Sequence, residues 1–231
     1  MPRLTKGLGV GLGGGILAIM ILVLFIFYPH PSKHYHMHNV MAVIKPTFTI
    51  AAYQPRGFYD YYRKQCEEEC LTVTLNPKSE TSTMSYAGSN NGLNAILSNA
   101  SVDVLTDEQV SNDPSILEEY QRVIVLHNEY VTQAEFDAIT NHPNVFYLYP
   151  NSLYALVSYN TTNQTITLEE GHGYNGVNNA FGWGPSMTTK NEYNTKCNNW
   201  QLDDVENGVM LNCYPENRIL EDADMVYETE R

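Results

Sequence analysis

Arg122-Val123-Ile124-Val125-Leu126-His127-Asn128-Glu129-Tyr130-Val131-Thr132-Gln133-Ala134-Glu135-Phe136 holds a strand, a turn and a helix start in one continuous stretch. Arg122 to Leu126, apolar and largely β-branched from Val123 on, has the pattern of a strand buried on both faces of a sheet. Thr132 and Glu135 spell a T-x-x-E capping box, and Val131 and Phe136 occupy the two positions of a hydrophobic staple. A helix therefore begins immediately after Thr132, and Ala138 and Ile139 continue its apolar face.

Working outward, similar alternations recur. Phe48 to Tyr53 reads as a buried strand, residues 57–68 as a helix through Phe58, Tyr62 and Cys66, and Leu71 to Leu75 as a strand. Polar residues from Asn76 to Asn91 suggest a long exposed loop. A short helix at Leu93, Ile96 and Leu97 and a strand from Val102 to Leu105 follow. Asp113-Pro114 marks another helix start, with Asp as N-cap and Pro at the first helical position. Strands are expected at Val145–Tyr149, Leu153–Tyr159 and Gln164–Leu168. Alternating strands and helices imply an α/β fold with a mainly parallel sheet and helices on both faces. The last strands follow one another too closely for helical crossovers, so they should be antiparallel. From Gly171 onward, few periodic runs remain, and an irregular extension over 171–231 is expected to pack on an α/β domain spanning 47–170.

The chain has 231 residues, 43% of them hydrophobic, enough for a substantial core. Its 13 basic and 26 acidic residues give a formal net charge of −13, which excludes a nucleic-acid partner of the usual electrostatic kind. Residues 7–28 carry no charge and are long enough to cross a bilayer as a helix. Arg3 and Lys6 precede this segment, so residues 1–6 are expected as a cytoplasmic tail, with the acidic remainder outside. A cleaved signal peptide would have a shorter apolar region and small residues at its end, whereas Leu24-Phe25-Ile26-Phe27-Tyr28 is bulky. An uncleaved signal-anchor in the cytoplasmic membrane is the expectation.

The outer location permits disulfides. Cys66, Cys70, Cys197 and Cys213 allow three connectivities, of which Cys66–Cys70 with Cys197–Cys213 is favoured as the local one. A helix cannot run regularly through a Cys66–Cys70 bridge and should end between the two cysteines. Sequons at Asn99, Asn160 and Asn163 suit a glycosylated outer surface, although an Asn-rich chain also produces them by chance.

The runs FTIAAYQPRGFYDYY (48–62) and VIVLHNEYVTQAEFDAITNHPNVFYLYPNSLY (123–154) resemble membrane-anchored archaeal surface proteins. The outer domain of those proteins is similar to the class I glutamine-amidotransferase-like fold, also present in the large subunit of N,N-dimethylformamidase. The resemblance covers about half the chain and implies a flavodoxin-like layered domain. The family's nucleophilic cysteine, on a tight Gly-flanked turn, has no counterpart, because neither G-x-C-x-G nor G-x-S-x-G occurs. No catalytic cysteine carries over.

Three places carry candidate chemistry. His127 and Glu129 follow the central strand, where open α/β sheets bind ligands, and could act as a base and its orienting partner. Asn128, Tyr130 and Tyr53 are the candidate ligand contacts around them; the alternative is that the same residues only organise the turn. His34, His36 and His38 alternate in a His/Pro-rich linker (29–46) and could converge on copper or zinc, or simply form a polar spacer. Gly171-His172-Gly173 is a glycine-flanked histidine with little else to mark it. The expected function is a membrane-anchored binding or interaction module on a degenerate amidotransferase-like fold, its partner a membrane or cell-surface protein. A hydrolase of amides or glycans at His127 and Glu129 and a metal-binding accessory protein are the alternatives.

Overall fold

A computed structural model describes residues 40–75, 85–184 and 188–231. The expected inner tail, the span at 7–28 and the histidines His34, His36 and His38 lie outside these residues. Among the described residues no helix is long and apolar enough to cross a membrane.

The central sheet has six strands: β1 (Met41–Lys45), β3 (Val102–Thr106), β4 (Arg122–Val125), β6 (Val145–Tyr147), β9 (Leu202–Val205) and β10 (Gly208–Leu211). Their order is β3-β1-β4-β6-β10-β9, with every neighbouring pair parallel except the β9–β10 hairpin. Both faces are covered. Val43, Ile124 and Phe146 point into one apolar cluster, while Ala42, Ile44, Val123, Val125, Val145 and Tyr147 point into the other. Strands buried on two faces lose the polar half of their alternation, which explains their continuous apolar runs.

A second, four-stranded sheet has the order β2-β8-β7-β5, built from β2 (Thr72–Thr74), β5 (Tyr130–Val131), β7 (Ala155–Asn160) and β8 (Thr165–Glu170). Of the last strands expected to be antiparallel, β7 and β8 pair so, and β8 also pairs antiparallel with β2, whereas β6 runs parallel to β4 and β10 in the central sheet. Strands β2, β7 and β8 form this separate sheet rather than continuing the first, and β5 joins it in parallel to β7.

Several expectations change. Phe48–Tyr53 is no strand: α1 (Thr47–Ala52) is a helix with all six residues buried. A fully buried helix shows no polar face, so periodicity cannot separate it from a strand. The strand of this region is β1, inside the expected linker 29–46, where it forms the middle of the parallel ladder. The helix expected over 57–68 is only α2 (Phe58–Tyr62), stopped at Lys64 with φ 58°. The expected loop ends early, because α3 (Ser85–Gly88) and α4 (Asn90–Asn99) are helical. Residues 208–211 extend the central sheet, so the C-terminal part is not merely an irregular extension. It also holds α7 (Thr188–Asn191) and α8 (Ala223–Glu230), the latter packing against α4. Asn207 fastens the β9–β10 hairpin to the sheet: its amide donates to the Ile139 and His142 carbonyls at 2.8 and 3.1 Å, and its carboxamide oxygen accepts from Tyr147 at 3.1 Å.

The capping box is half realised. Thr132 Oγ1 accepts from the Glu135 amide at 3.2 Å at the start of α6 (Gln133–Asn141), but the Glu135 carboxyl turns inward. The complete box belongs to Thr106 and Gln109 at the start of α5 (Asp107–Asn112). Asp113-Pro114 opens a 3-10 helix, Pro114–Glu119. Both favoured disulfides are formed, Cys66–Cys70 and Cys197–Cys213, and the α2 helix ends before Cys66.

Candidate functional site

Numbering the parallel strands in chain order gives 2-1-3-4-5 across the sheet, so the winding direction reverses between β1 and β4. Ligand crevices of open α/β sheets form at the carboxyl ends of the strands flanking such a reversal. Here β1 runs into α1, and β4 into His127-Asn128-Glu129. Thr49 of α1 ties the two together, its Oγ1 accepting from the Glu129 amide at 2.9 Å and the Tyr130 amide at 3.4 Å. Beyond Glu129 the chain enters β5, so this turn is also where it passes from one sheet to the other.

Glu129 is fully buried, and both its oxygens are engaged. Tyr53 donates to Oε2 at 2.9 Å; Tyr59 donates to Oε1 at 3.2 Å and Asn151 at 3.3 Å. His172 Nε2 lies 2.6 Å from Oε1, and His127 Nε2 lies 3.7 Å from Oε2. Burial alone would raise the Glu129 pKa. The hydrogen bond and charge of His172, the His127 charge and the Tyr53 hydroxyl outweigh it, and the carboxyl titrates below its ordinary value. Burial, then the Glu129 charge, push the Tyr53 and Tyr59 hydroxyls upward, so both remain donors.

His172 is the residue that sequence reasoning undervalued. Its side chain is 21% exposed and lies among tyrosines: Tyr154, Tyr62, Tyr130 and Tyr59 have ring centroids 4.7, 5.2, 5.5 and 6.1 Å from its own. It faces a groove of about 1170 Å³, lined also by Tyr61, Tyr62, Tyr174, Gln65 and Glu68. In the sequence Tyr59, Tyr61 and Tyr62 read as core aromatics that could also line a sugar or peptide site, whereas Asn151 carried no signal. The glycine flanks of His172 were the one available signal, and they say nothing of what the side chain meets.

The other candidates separate. His127 faces Glu129 but is buried, its Nδ1 2.9 Å from the Tyr214 hydroxyl. Tyr53 contributes a hydroxyl, and Tyr130 stacks beneath His172. Asn128 turns the other way and donates to Asp107 Oδ1 at 2.6 Å. Asp107 also accepts from the Phe48 amide at 2.6 Å, and it forms a buried hydrogen-bonded carboxyl pair with Glu135. Burial and neighbouring acids push Asp107 up to about 7 and Glu135 well upward, so the pair retains a proton. His142 caps the end of α6, its Nε2 3.1 Å from the Tyr120 carbonyl, and Trp183 packs on Tyr147. Asn99, Asn160 and Asn163 are all exposed.

Among the described residues no group of three or more His, Cys, Asp or Glu is placed to hold a metal ion. All four cysteines are in disulfides, so the chain offers no thiol nucleophile. No protein-family profile matches this sequence, and no curated protein matches it.

Proposed function

We propose that this chain is a membrane-anchored extracytoplasmic binding module, with the groove beside His172 as its ligand site and a membrane or cell-surface protein as its partner. In this reading residues 7–28 hold it in the bilayer and the α/β domain lies outside. The two disulfides and the exposed sequons suit such a compartment. The strand order 2-1-3-4-5 is that of flavodoxin-like sheets, which supports a degenerate amidotransferase-like frame.

The observation that carries the binding reading is the saturation of Glu129. Tyr53, Tyr59, Asn151 and His172 occupy its two oxygens, so it acts as an anchor for the groove wall and not as a proton acceptor for a substrate. His127, the other half of the hydrolase alternative, is only 3% exposed.

Affinity purification of the intact protein from its native membrane tests this. A co-purifying molecule whose retention depends on Tyr62 and Tyr174 is expected. Turnover of amide or glycan substrates by the full chain, lost in a folded Glu129→Gln variant, would overturn the reading in favour of the hydrolase. The mass of the mature protein should include residues 1–28, and a mature N-terminus near residue 30 would refute the anchor.

A further inference from the structure

We propose that the tyrosine-walled recess filled by the His172 imidazole is a binding site for an organic cation bearing N–H donors, an alkylammonium or imidazolium group, and that His172 is its built-in occupant. The proposal rests on the binding reading above and names the ligand class of that site.

The recess has the chemistry of a cation receptor. Its floor is the Glu129 carboxylate, wholly buried, and its walls are the rings of Tyr59, Tyr62, Tyr130 and Tyr154. Tyrosine faces attract a cation within about 6 Å of the ring centroid, and the carboxylate accepts its N–H. A buried carboxylate is costly to leave without donors, and a charge-assisted N–H in the recess is a favourable partner for it. His172 places its Nε2 there, 2.6 Å from Oε1.

The occupant sits on a loop built to present it and to let it go. Gly171, His172 and Gly173 have φ values of 123°, 52° and 84°, three consecutive residues in the left-handed half of the map. The loop backbone is held independently of the imidazole: His172 N donates to Asn178 O at 2.8 Å, Gly173 N to Val177 O at 2.9 Å and Tyr174 N to Gly171 O at 2.9 Å. Side-chain rotation of His172 toward the groove would join the recess to the open volume outside, with the backbone unchanged. That groove is rimmed by Glu67, Glu68 and Glu69 against Lys64, an electrostatic balance that favours an arriving cation.

An external cation must compete with the tethered imidazole, so its apparent affinity is lowered by the fraction of time His172 occupies the recess. Removing the imidazole should reveal the intrinsic affinity.

The test is calorimetric titration of the full chain with n-butylammonium. Wild-type protein should bind it weakly, His172→Ala at least tenfold more tightly, and a folded His172→Ala/Glu129→Gln variant not at all. Neutral n-butanol should not bind, and tetramethylammonium, lacking N–H, should bind less tightly. Replacing n-butylammonium by N-acetyl-lysine-N-methylamide distinguishes the sources: tighter binding assigns the cation to a protein side chain, weaker binding to a free small molecule. No binding by folded His172→Ala, equal binding of n-butanol, or binding that survives Glu129→Gln overturns the proposal. If His172→Ala fails to fold, the wild-type protein decides: saturating n-butylammonium should shift the His172 imidazole resonances, and unmoved resonances overturn it. Should the cation fail while a native ligand still depends on Tyr62 and Tyr174, only this inference falls. Loss of that dependence as well would remove the binding reading too.

Discussion

His172 Nε2 lies 2.6 Å from Glu129 Oε1, joining the loop after β8 to the turn after β4 beneath four tyrosine rings. One contact thus links the two sheets at the place where the central sheet reverses its winding.

Glu129→Gln should destabilise the fold by about 3–5 kcal/mol, the range for breaking a buried pair by removing one partner. The sign with pH follows from its lowered pKa. The folded state binds the Glu129 proton less tightly than the unfolded chain does, so the stabilisation is complete above the ordinary value of 4.5 and is lost as pH falls through the folded value. Urea unfolding of wild type and variant should therefore converge at acid pH, and a constant difference down to pH 2 would contradict this.

Asp107 and Glu135 act in the opposite direction. Their folded pKa values are raised, so the folded state holds more protons than the unfolded chain between the ordinary carboxylate range and about 7. Stability from this pair is present below pH 4 and declines across that window. Glu135→Gln keeps a donor for Asp107 and removes one charge. The variant should gain on the order of 1–2 kcal/mol over wild type at pH 8 and little at pH 4. Chemical denaturation at the two pH values measures it.

Gly208→Ala tests the placement of the C-terminal hairpin. A β-carbon at Gly208 would lie 1.8 Å from the Val145 carbonyl oxygen, within the β10–β6 pairing. Loss of about 3 kcal/mol or more is expected, with a lowered melting temperature and faster reduction of Cys197–Cys213. An unchanged melting curve would remove β10 from the central sheet.

The two disulfides should contribute unequally. In the chain-entropy relation, Cys197–Cys213, with a sequence separation of 16, stabilises by about 3 kcal/mol, and Cys66–Cys70, with a separation of 4, by about 2. Cys197 and Cys213 are also buried in the core, so their paired replacement by alanine should be the more damaging of the two. Equal losses from both double variants would contradict the ranking.

The legible parts of this fold were those written in local chemistry. Val123–Val125 is apolar because both faces are covered, and Thr132 signals a helix because its hydroxyl meets an amide three residues on. Where burial is complete the code fails. Met41–Lys45 and Thr47–Ala52 are both short and apolar, one a strand and the other a helix, and no period distinguishes them. Glu135 could equally have completed its own cap; Ser111 and Asp107, brought beside it by packing, drew its carboxyl inward.

By itself the sequence determined an α/β domain with a mainly parallel sheet, favoured the local disulfide pairing and placed a turn directly after β4, because each depends on neighbours along the chain. The tertiary structure alone decided what the side chains of that turn meet. Asn128 and Glu129 are adjacent yet face different clusters, and the imidazole that reaches Glu129 comes from a loop beyond four further strands. Which side chains meet a buried carboxylate is settled by how the sheets close upon it, a property of the whole fold that no local spacing encodes.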